Sequence, residues 1–338
     1  MRVITQSGVL YFLILFFDIF SFRYYRRRCL EEFGSDNDCT ILRAEFDYFE
    51  SFPDENPKNY QYWFHRRAVV EMIHNQTTTT ETQNQEEKED MIDGELSYTK
   101  SVFEVDGKNY HAWSHRQWIL QYFGLMVEEE EGGRRSYFDL ELDCINELLD
   151  LDLRNNSVWN HRWYIFSLRY DDILNQKEQQ QGDGEDKRLE IISSEIEYVF
   201  DQIEKCPQNE SPWNYLRGWF EIHLSSSSKN SSLVQDDVEG KGENDEVKTD
   251  MIEEENKTPS CLCVSMIVQK SEAILSSPDS SKCSFAKSLL GDIYSSSSST
   301  SHFNLDRAID LWDELVEEDN MRCKYWNILK ERALLINT

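Results

Sequence analysis

Apolar residues recur along this chain at the spacing of amphipathic α-helices. One stripe consists of Phe138, Leu142, Ile145 and Leu149. Steps of four, three and four residues place these side chains on one face of a helix. A shorter stripe with the same spacing occupies residues 42–49. The pattern predicts helices that each bury one face and leave the other face exposed.

A motif of the form Asn-x-x-x-Trp follows these stripes and occurs four times. Most copies carry an Arg three residues after the Trp. The four Trp residues are Trp63, Trp113, Trp159 and Trp213, at intervals of 50, 46 and 54 residues. The Asn of each copy is a good helix N-cap, because its side chain accepts a hydrogen bond from a backbone N–H. Such intervals suit one helical hairpin plus a loop of variable length.

Repeated helical hairpins predict the fold class. A single hairpin has too little apolar surface to fold alone, so neighbouring hairpins are expected to stack. The prediction is an all-α protein, a right-handed α-α superhelix with essentially no β-strand. The recurring Trp and Arg residues are expected to pack between repeats, with each guanidinium stacked on Trp and bonded to helix-end carbonyls. A histidine also recurs two residues after the Trp, at His65, His115 and His161. We interpret these histidines as packed polar residues, not as metal ligands.

Composition argues against nucleic acid as a partner. The 338 residues include 64 acidic and 35 basic side chains, for a formal charge of −29, whereas nucleic-acid binding requires basic surfaces. Much of the acidic charge lies in polar stretches that cannot bury enough apolar surface to order themselves. These predicted disordered inserts cover residues 76–94, 176–187, 225–258 and 295–301. The eight cysteines include no Cys-x-x-Cys pair, which favours a reduced, intracellular chain.

The start of the chain differs from the rest. Residues 8–22 are strongly apolar and are bordered by arginines, as in a signal peptide or a membrane anchor. The run contains Asp18 and is shorter than the ~20 residues that cross a bilayer. It has no clear small-residue cleavage site. We therefore predict that residues 1–21 are not part of the fold, that residues 22–338 form the repeat domain, and that the protein does not associate with membranes.

Two copies of the motif resemble the repeat of protein prenyltransferase α subunits. Residues 56–67 read Asn-Pro-Lys-Asn-Tyr-Gln-Tyr-Trp-Phe-His-Arg-Arg, and residues 108–118 read Lys-Asn-Tyr-His-Ala-Trp-Ser-His-Arg-Gln-Trp. Segments that complete the series lie at 154–160, 209–216 and 322–326. The resemblance runs from roughly Tyr24 to Ala333. It is most specific to the α subunit shared by protein farnesyltransferase and type I geranylgeranyltransferase.

The resemblance implies an architecture and an activity. In that family the α subunit is a crescent of helical hairpins that wraps around a β subunit. The β subunit holds the catalytic zinc and most of the isoprenoid and peptide sites, so no metal is expected on this chain. The heterodimer transfers a farnesyl or geranylgeranyl group from its diphosphate to the Cys thiol of C-terminal Cys-a-a-X protein substrates. The farnesyl reaction also uses magnesium, and the implied location is cytoplasmic.

The resemblance also assigns a diphosphate site. Its residues are Lys58, Tyr60, Asn109, Tyr110 and His111. Lys58 is the expected catalytic residue, since a fixed cation stabilises the charge that grows on the leaving diphosphate in the transition state. Lys108 repeats Lys58 one copy later, but the resemblance gives it no role at the diphosphate.

Further residues match family positions around this site. Gln61 falls on the position that binds the C-terminal carboxylate of the substrate peptide. Arg66, Trp113 and Arg116 match positions that support the same edge. The chain departs from the family at its start, where residues 23–30 resemble only the tail of an expected earlier repeat. The tyrosine that helps form the pocket for the X residue of the peptide is therefore missing.

Other functions stay open on the sequence. A non-catalytic helical-repeat scaffold, as tetratricopeptide arrays are, would contain similar hairpins but does not need Lys-Asn-Tyr-Gln before the Trp. The α subunit of the Rab-specific geranylgeranyltransferase is a second alternative, although it is expected to carry different side chains around the first lysine and additional domains. A membrane-anchored or secreted repeat protein would use the apolar run as a signal.

Overall fold

The computed structural model describes most of the chain from Arg23 to Ile336. The described ranges are 23–33, 40–50, 58–79, 85–125, 136–177, 184–231, 259–278, 282–296 and 303–336. These ranges contain thirteen α-helices and no β-strand. In chain order the helices are α1 (Arg23–Phe33), α2 (Thr40–Glu50), α3 (Tyr60–Thr79), α4 (Gln85–Val105), α5 (Tyr110–Tyr122), α6 (Tyr137–Leu151), α7 (Asn156–Lys177), α8 (Gly184–Lys205), α9 (Glu210–Ser231), α10 (Pro259–Ser276), α11 (Ser284–Tyr294), α12 (Leu305–Glu318) and α13 (Cys323–Ile336). The predicted all-α fold class is confirmed, and the segment predicted not to belong to the fold, residues 1–21, lies outside the described ranges.

The chain forms two compact units, residues 1–148 and residues 149–338. In the first unit α2 packs on α3 and α4 packs on α5, while α3 also contacts α1 and α5. In the second unit α7, α8 and α9 pack against one another, and α10 to α13 continue as consecutive packed pairs. Helical hairpins are thus the building element of each unit, as the motif spacing predicts.

Asparagine side chains cap the four motif helices. In every copy the Asn Oδ1 accepts a hydrogen bond from the backbone N–H two residues later, at 2.9 to 3.3 Å. The capping residues are Asn59, Asn109, Asn155 and Asn209. In the last three copies the Trp Nε1–H donates to the backbone carbonyl six residues earlier, at 2.9 to 3.0 Å. These two contacts fix the turn that precedes each motif helix and the first turn of that helix.

A buried carboxylate in α4 binds side chains from two neighbouring repeats. Glu95 is 3% exposed. Its two oxygens accept from the guanidinium of Arg66 on α3 at 2.5 to 3.0 Å and from His115 Nε2 on α5 at 2.6 Å. Burial acts to raise the pKa of Glu95, but Arg66 and His115 outweigh it and lower this pKa to about 2. The carboxylate therefore stays ionised and joins the Arg of one repeat to the His of the next.

The same arrangement recurs earlier in the first unit. Glu45 on α2 binds Arg26 of α1 and accepts from His65 Nε2 at 2.9 Å. Arg26 of α1 therefore makes the contact that the recurring Arg makes in the other repeats. Burial raises the pKa of Glu45, yet hydrogen bonds from His65 and Arg26 bring the net shift below the ordinary value.

Two further carboxylates extend the series, each within its own unit. In the first unit Glu141 on α6 accepts from Arg116 at 2.7 and 2.9 Å. In the second unit Glu195 on α8 accepts from Arg162 at 2.5 and 2.6 Å and from the Tyr215 hydroxyl at 2.6 Å. Tyr215 stands where the other motifs carry His, and its hydroxyl makes the equivalent hydrogen bond.

The partners of the recurring Arg residues differ from the sequence-based expectation. The guanidinium of Arg66 lies 3.7 Å from the centre of the Tyr98 ring, and that of Arg162 lies 3.8 Å from the Tyr198 ring. These two guanidinium groups thus stack on Tyr, a contact that the sequence-based expectation of Trp did not include. Only a carboxylate neutralises a guanidinium buried this deeply, so Glu is the main partner. Arg116 does donate to a backbone carbonyl, that of Leu96, at 2.7 Å.

Regular helix extends into three of the stretches predicted as disordered inserts. Within 76–94, α3 continues to Thr79 and α4 begins at Gln85. Within 176–187, α7 continues to Lys177 and α8 begins at Gly184, and α9 runs to Ser231 inside 225–258. Gln, Glu and Lys have good intrinsic helix propensity, so a polar composition alone does not end a helix. Among the described residues, no helix is both long and apolar enough to cross a membrane.

Candidate functional site

The predicted site residues lie in the first unit, at the turns that precede α3 and α5. Lys58 is in the turn before α3, and Tyr60 is the first residue of that helix. Tyr110 likewise begins α5 directly after its cap, Asn109. The cap fixes the start of each helix, so the residues next to it have a defined position. The repeat therefore presents equivalent polar and aromatic side chains from two successive turns.

Lys58 connects the two turns. Its Nζ lies 3.1 Å from Oδ2 of Asp106, which precedes α5. The side chain of Lys58 is 73% exposed and that of Asp106 is 27% exposed. The hydrogen bond from Lys58 is the largest influence on the pKa of Asp106 and lowers it. The ammonium is thus directed to the second repeat while it stays accessible to a ligand.

Tyr60 and Gln61 form the accessible start of α3. Tyr60 is 65% exposed, and its hydroxyl accepts from Gln61 Nε2 at 3.4 Å. The Oε1 of Gln61 and the Nδ2 of Asn59 are buried atoms without a hydrogen-bond partner among the described residues. Buried polar atoms in native proteins are nearly always hydrogen-bonded. These two atoms therefore need hydrogen-bond partners from outside the described residues.

The start of α5 combines one buried residue with two accessible ones. Asn109 is only 1% exposed, and its Oδ1 accepts the backbone N–H groups of His111 and Ala112. Tyr110 is 75% exposed, and its ring meets the half-buried His111 ring edge-on, with 5.6 Å between centroids. Tyr110 and His111 can therefore contact a ligand, whereas Asn109 faces inward and sets their position.

Three residues were expected to support the edge formed by the starts of α3 and α5, and all three are buried. Arg66 and Arg116 are bound by Glu95 and Glu141, as described above. Trp113 stacks on Phe103 with 3.8 Å between ring centroids and an interplanar angle of 16°. Its indole N–H donates to Gly107 O at 3.0 Å, inside the turn before α5. Trp113 thus fixes the turn from which Asp106, Tyr110 and His111 project.

Sequence reasoning overlooked the acidic residues that organise this region. A signal was present, because a Glu stands 18 residues before the Trp in all four copies: Glu45, Glu95, Glu141 and Glu195. The spacing from Glu to Trp is constant, so all variation in repeat length falls between one Trp and the next Glu. Asp106 carried a weaker signal, since Asp152 occupies the same place seven residues before the Trp in the next copy.

No group of three or more His, Cys, Asp and Glu side chains within the described ranges is arranged to hold a metal ion.

In the second unit, a cleft of about 490 Å³ lies between α7 and α9. It is lined by Asn156, Trp159, Asn160, Trp163, Ser211, Asn214, Tyr215, Gly218 and Glu221. None of these is a residue assigned to the site from the sequence.

Comparisons with known proteins agree with this geometry. The pattern described as the protein prenyltransferase alpha subunit repeat matches residues 42–73, 92–123, 138–169 and 192–222. Each match begins in one helix and ends within, or one residue after, the next motif helix, and each includes the Glu, the Asn cap and the Trp. A comparison with curated proteins finds no match.

A solved structure has a similar fold. It is Candida albicans protein geranylgeranyltransferase-I complexed with GGPP, with 23% sequence identity and a TM-score of 0.58. The match covers 98% of this chain and 84% of that chain. At this identity the likeness defines the fold, a solenoid of helical repeats. The four matched repeats then define the family: the chain belongs to the proteins built from the protein prenyltransferase alpha subunit repeat.

Proposed function

We propose that this chain is the α subunit of a heterodimeric protein prenyltransferase. With a β subunit it would transfer a farnesyl or geranylgeranyl group from its diphosphate to the Cys thiol of C-terminal Cys-a-a-X proteins. The observation that carries the proposal is the edge at the starts of α3 and α5, where an accessible lysine and exposed tyrosines share one side of the repeats. The repeat family and the fold shared with a geranylgeranyltransferase-I chain support it.

The edge has the chemistry that cleavage of a diphosphate ester requires. The ammonium of Lys58 lies 3.1 Å from Asp106 of the next repeat, and it would stabilise the negative charge that develops on the leaving diphosphate. Tyr60, Tyr110 and His111 would donate hydrogen bonds to the phosphate oxygens. Asn109 would contribute indirectly, because its cap of α5 holds Tyr110 and His111 in place.

The peptide substrate would meet the same edge. The Oε1 and Nε2 of Gln61 lie at the start of α3, and Oε1 has no partner within the described residues. The amide group would hydrogen-bond the C-terminal carboxylate of the peptide through Nε2, since the amide nitrogen donates whereas the amide oxygen only accepts. Because Nε2 carries two N–H groups, one could donate to the substrate while the other keeps its long 3.4 Å contact with the Tyr60 hydroxyl.

A partner subunit would cover the exposed aromatic side chains of this unit. Tyr60, Phe64 and Tyr110 are 65%, 58% and 75% exposed. Large exposed aromatic residues next to unpaired polar atoms are typical of protein interaction sites. The β subunit would supply the catalytic zinc, which activates the Cys thiol as thiolate, and magnesium would accompany the farnesyl diphosphate.

The alternatives are weaker on the same observations. A non-catalytic repeat scaffold needs the buried Glu–Arg contacts and the Asn caps, but it does not need Lys58, Tyr60 and Tyr110 to project from one edge. The Rab-specific enzyme stays an alternative that the choice of β subunit would test. The cytoplasm is the proposed location, because the site requires an intracellular substrate and a reduced Cys thiol.

Matched lysine variants test the function. The chain is co-expressed with candidate β subunits, and single-turnover transfer of farnesyl and geranylgeranyl groups is measured on each assembled dimer. We expect Lys58→Ala to react on the order of 10²-fold more slowly, by analogy with the loss of one charge-stabilising donor. Lys108→Ala is the control, since it removes an exposed lysine from the equivalent position one repeat later. Equal rates for the two variants, or transfer by the chain without a partner, would contradict the proposal.

A further inference from the structure

Asp106 uses its two carboxylate oxygens for two different repeats. Oδ1 accepts the backbone N–H of Lys108 at 3.1 Å, which shapes the turn before α5. Oδ2 lies 3.1 Å from the Nζ of Lys58, in the turn before α3. The first contact fixes the carboxylate on the second repeat, and the second contact then fixes the ammonium of the first repeat relative to that turn.

We propose that Asp106 is a positioning residue that holds the Lys58 ammonium at the turn leading into Tyr110 and His111. The inference rests on the proposed function, because it concerns the cation that would stabilise the leaving diphosphate. Asp106 binds the ammonium of Lys58 but the backbone N–H of Lys108, so this constraint acts on the side chain of Lys58.

An exposed lysine needs such a constraint to act in a transition state. The lysine side chain has four rotatable bonds, and at 73% exposure little else restricts its rotamers. Catalysis by a fixed charge depends on that charge being in place before the reaction begins. Exposed ion pairs contribute little to stability, so we assign the Lys58–Asp106 pair to positioning rather than to the strength of the fold.

The carboxylate also has an opposing electrostatic effect. A negative charge near the site disfavours the binding of a diphosphate, whereas a fixed ammonium favours the subsequent charge separation. Removal of the charge from Asp106 should therefore affect binding and chemistry in different directions. A residue that merely supports the fold would weaken both.

Asp152 provides a matched control. It lies in the equivalent turn of the next copy, where its Oδ1 accepts the backbone N–H of Arg154 at 3.0 Å. Asp152→Asn and Asp106→Asn make the same chemical change in the same kind of turn, and both retain the oxygen that accepts from the backbone. They differ in whether a lysine ammonium of the proposed site is released.

The experiment measures two quantities on the assembled dimer: the affinity for the isoprenoid diphosphate and the single-turnover rate of transfer. For Asp106→Asn we expect a rate about tenfold lower, because Lys58 regains its rotamers, with affinity unchanged or about threefold tighter. Asp152→Asn should stay within about twofold of wild type in both quantities. Asp106→Glu restores the charge and should recover part of the rate.

A double variant distinguishes positioning from other roles. If Asp106 acts through Lys58, Asp106→Asn should not slow Lys58→Ala any further. A further loss in the double variant, a wild-type or higher rate for Asp106→Asn, or equal losses for Asp106→Asn and Asp152→Asn would overturn the inference. If Lys58→Ala itself reacts at the wild-type rate, the proposed function fails and the inference fails with it. If Lys58→Ala reacts slowly while Asp106→Asn reacts at the wild-type rate, the inference about Asp106 is wrong but the proposed function is not affected.

Discussion

Glu95→Gln is the substitution that most directly tests how the repeats are held together. The carboxylate of Glu95 is 3% exposed and binds Arg66 from one repeat and His115 from the next. Gln keeps the size of the side chain but removes the negative charge. The guanidinium of Arg66, itself 1% exposed, is then left without a counter-charge in the interior.

The size of the effect follows from the loss of a buried ion pair. Removing one partner of such a pair destabilises proteins by about 3–5 kcal/mol. The lowered pKa of Glu95 has the same sign, because it means that the folded state favours the ionised carboxylate. We therefore expect Glu95→Gln to lower the free energy of opening of α3, α4 and α5 by about 3 kcal/mol.

Amide hydrogen exchange in the assembled complex measures this loss without requiring the chain to be soluble alone. A loss of about 3 kcal/mol reduces the protection of the core amides of α3 to α5 on the order of 10²-fold. Glu147→Gln is the control, because Glu147 pairs with Lys100 at the surface, where both side chains are more than a third exposed. Its effect should be below about 1 kcal/mol. If both variants lose the same protection, the buried carboxylates do not hold the repeats together.

Three further predictions follow from individual contacts. Because the pKa of Glu95 is lowered, its ionised carboxylate stabilises the fold fully above the unfolded pKa of about 4.5, and this stabilisation is lost as the pH falls toward about 2. Amide protection should therefore decrease over that pH range. Glu95→Gln should make the decrease smaller. Gly291→Ala should destabilise the protein by about 1–3 kcal/mol, since an added Cβ would lie 2.5 Å from Trp312 Nε1. Gly94→Ala should instead stabilise α4 by about 0.5–1 kcal/mol, since nothing lies within 4 Å of the added Cβ. Thermal unfolding midpoints that move in the same direction for both variants would contradict this prediction. Arg26→Ala should raise exchange in α1 relative to Arg28→Ala, because Arg26 binds the buried Glu45 whereas Arg28 pairs with Glu31 at the surface.

The sequence by itself determined the repeating hairpins. The Asn caps and the Trp positions are local features, because a cap accepts from the N–H two residues later and the Trp indole reaches a carbonyl six residues earlier. Apolar spacing likewise depends only on the helical period, so it predicts which face is buried. The sequence did not determine where the polar inserts begin and end. Gln- and Glu-rich residues, such as those after Gln85, form a helix when another face of that helix packs against the protein.

Only the tertiary structure decided which side chains meet between repeats. Arg66 and Glu95 are 29 residues apart, and Lys58 and Asp106 are 48 residues apart. Contacts over such separations depend on how two hairpins stack and on the turn that each side chain leaves. The motif gives Lys58 and Lys108 the same following residues, Asn and Tyr, and only the structure shows that Asp106 binds the ammonium of Lys58. The constant spacing between Glu and Trp can be read from the sequence, but it does not show what the Glu binds. A buried charge needs a partner, and the structure shows that the partner of Glu95 is Arg66 of the preceding repeat.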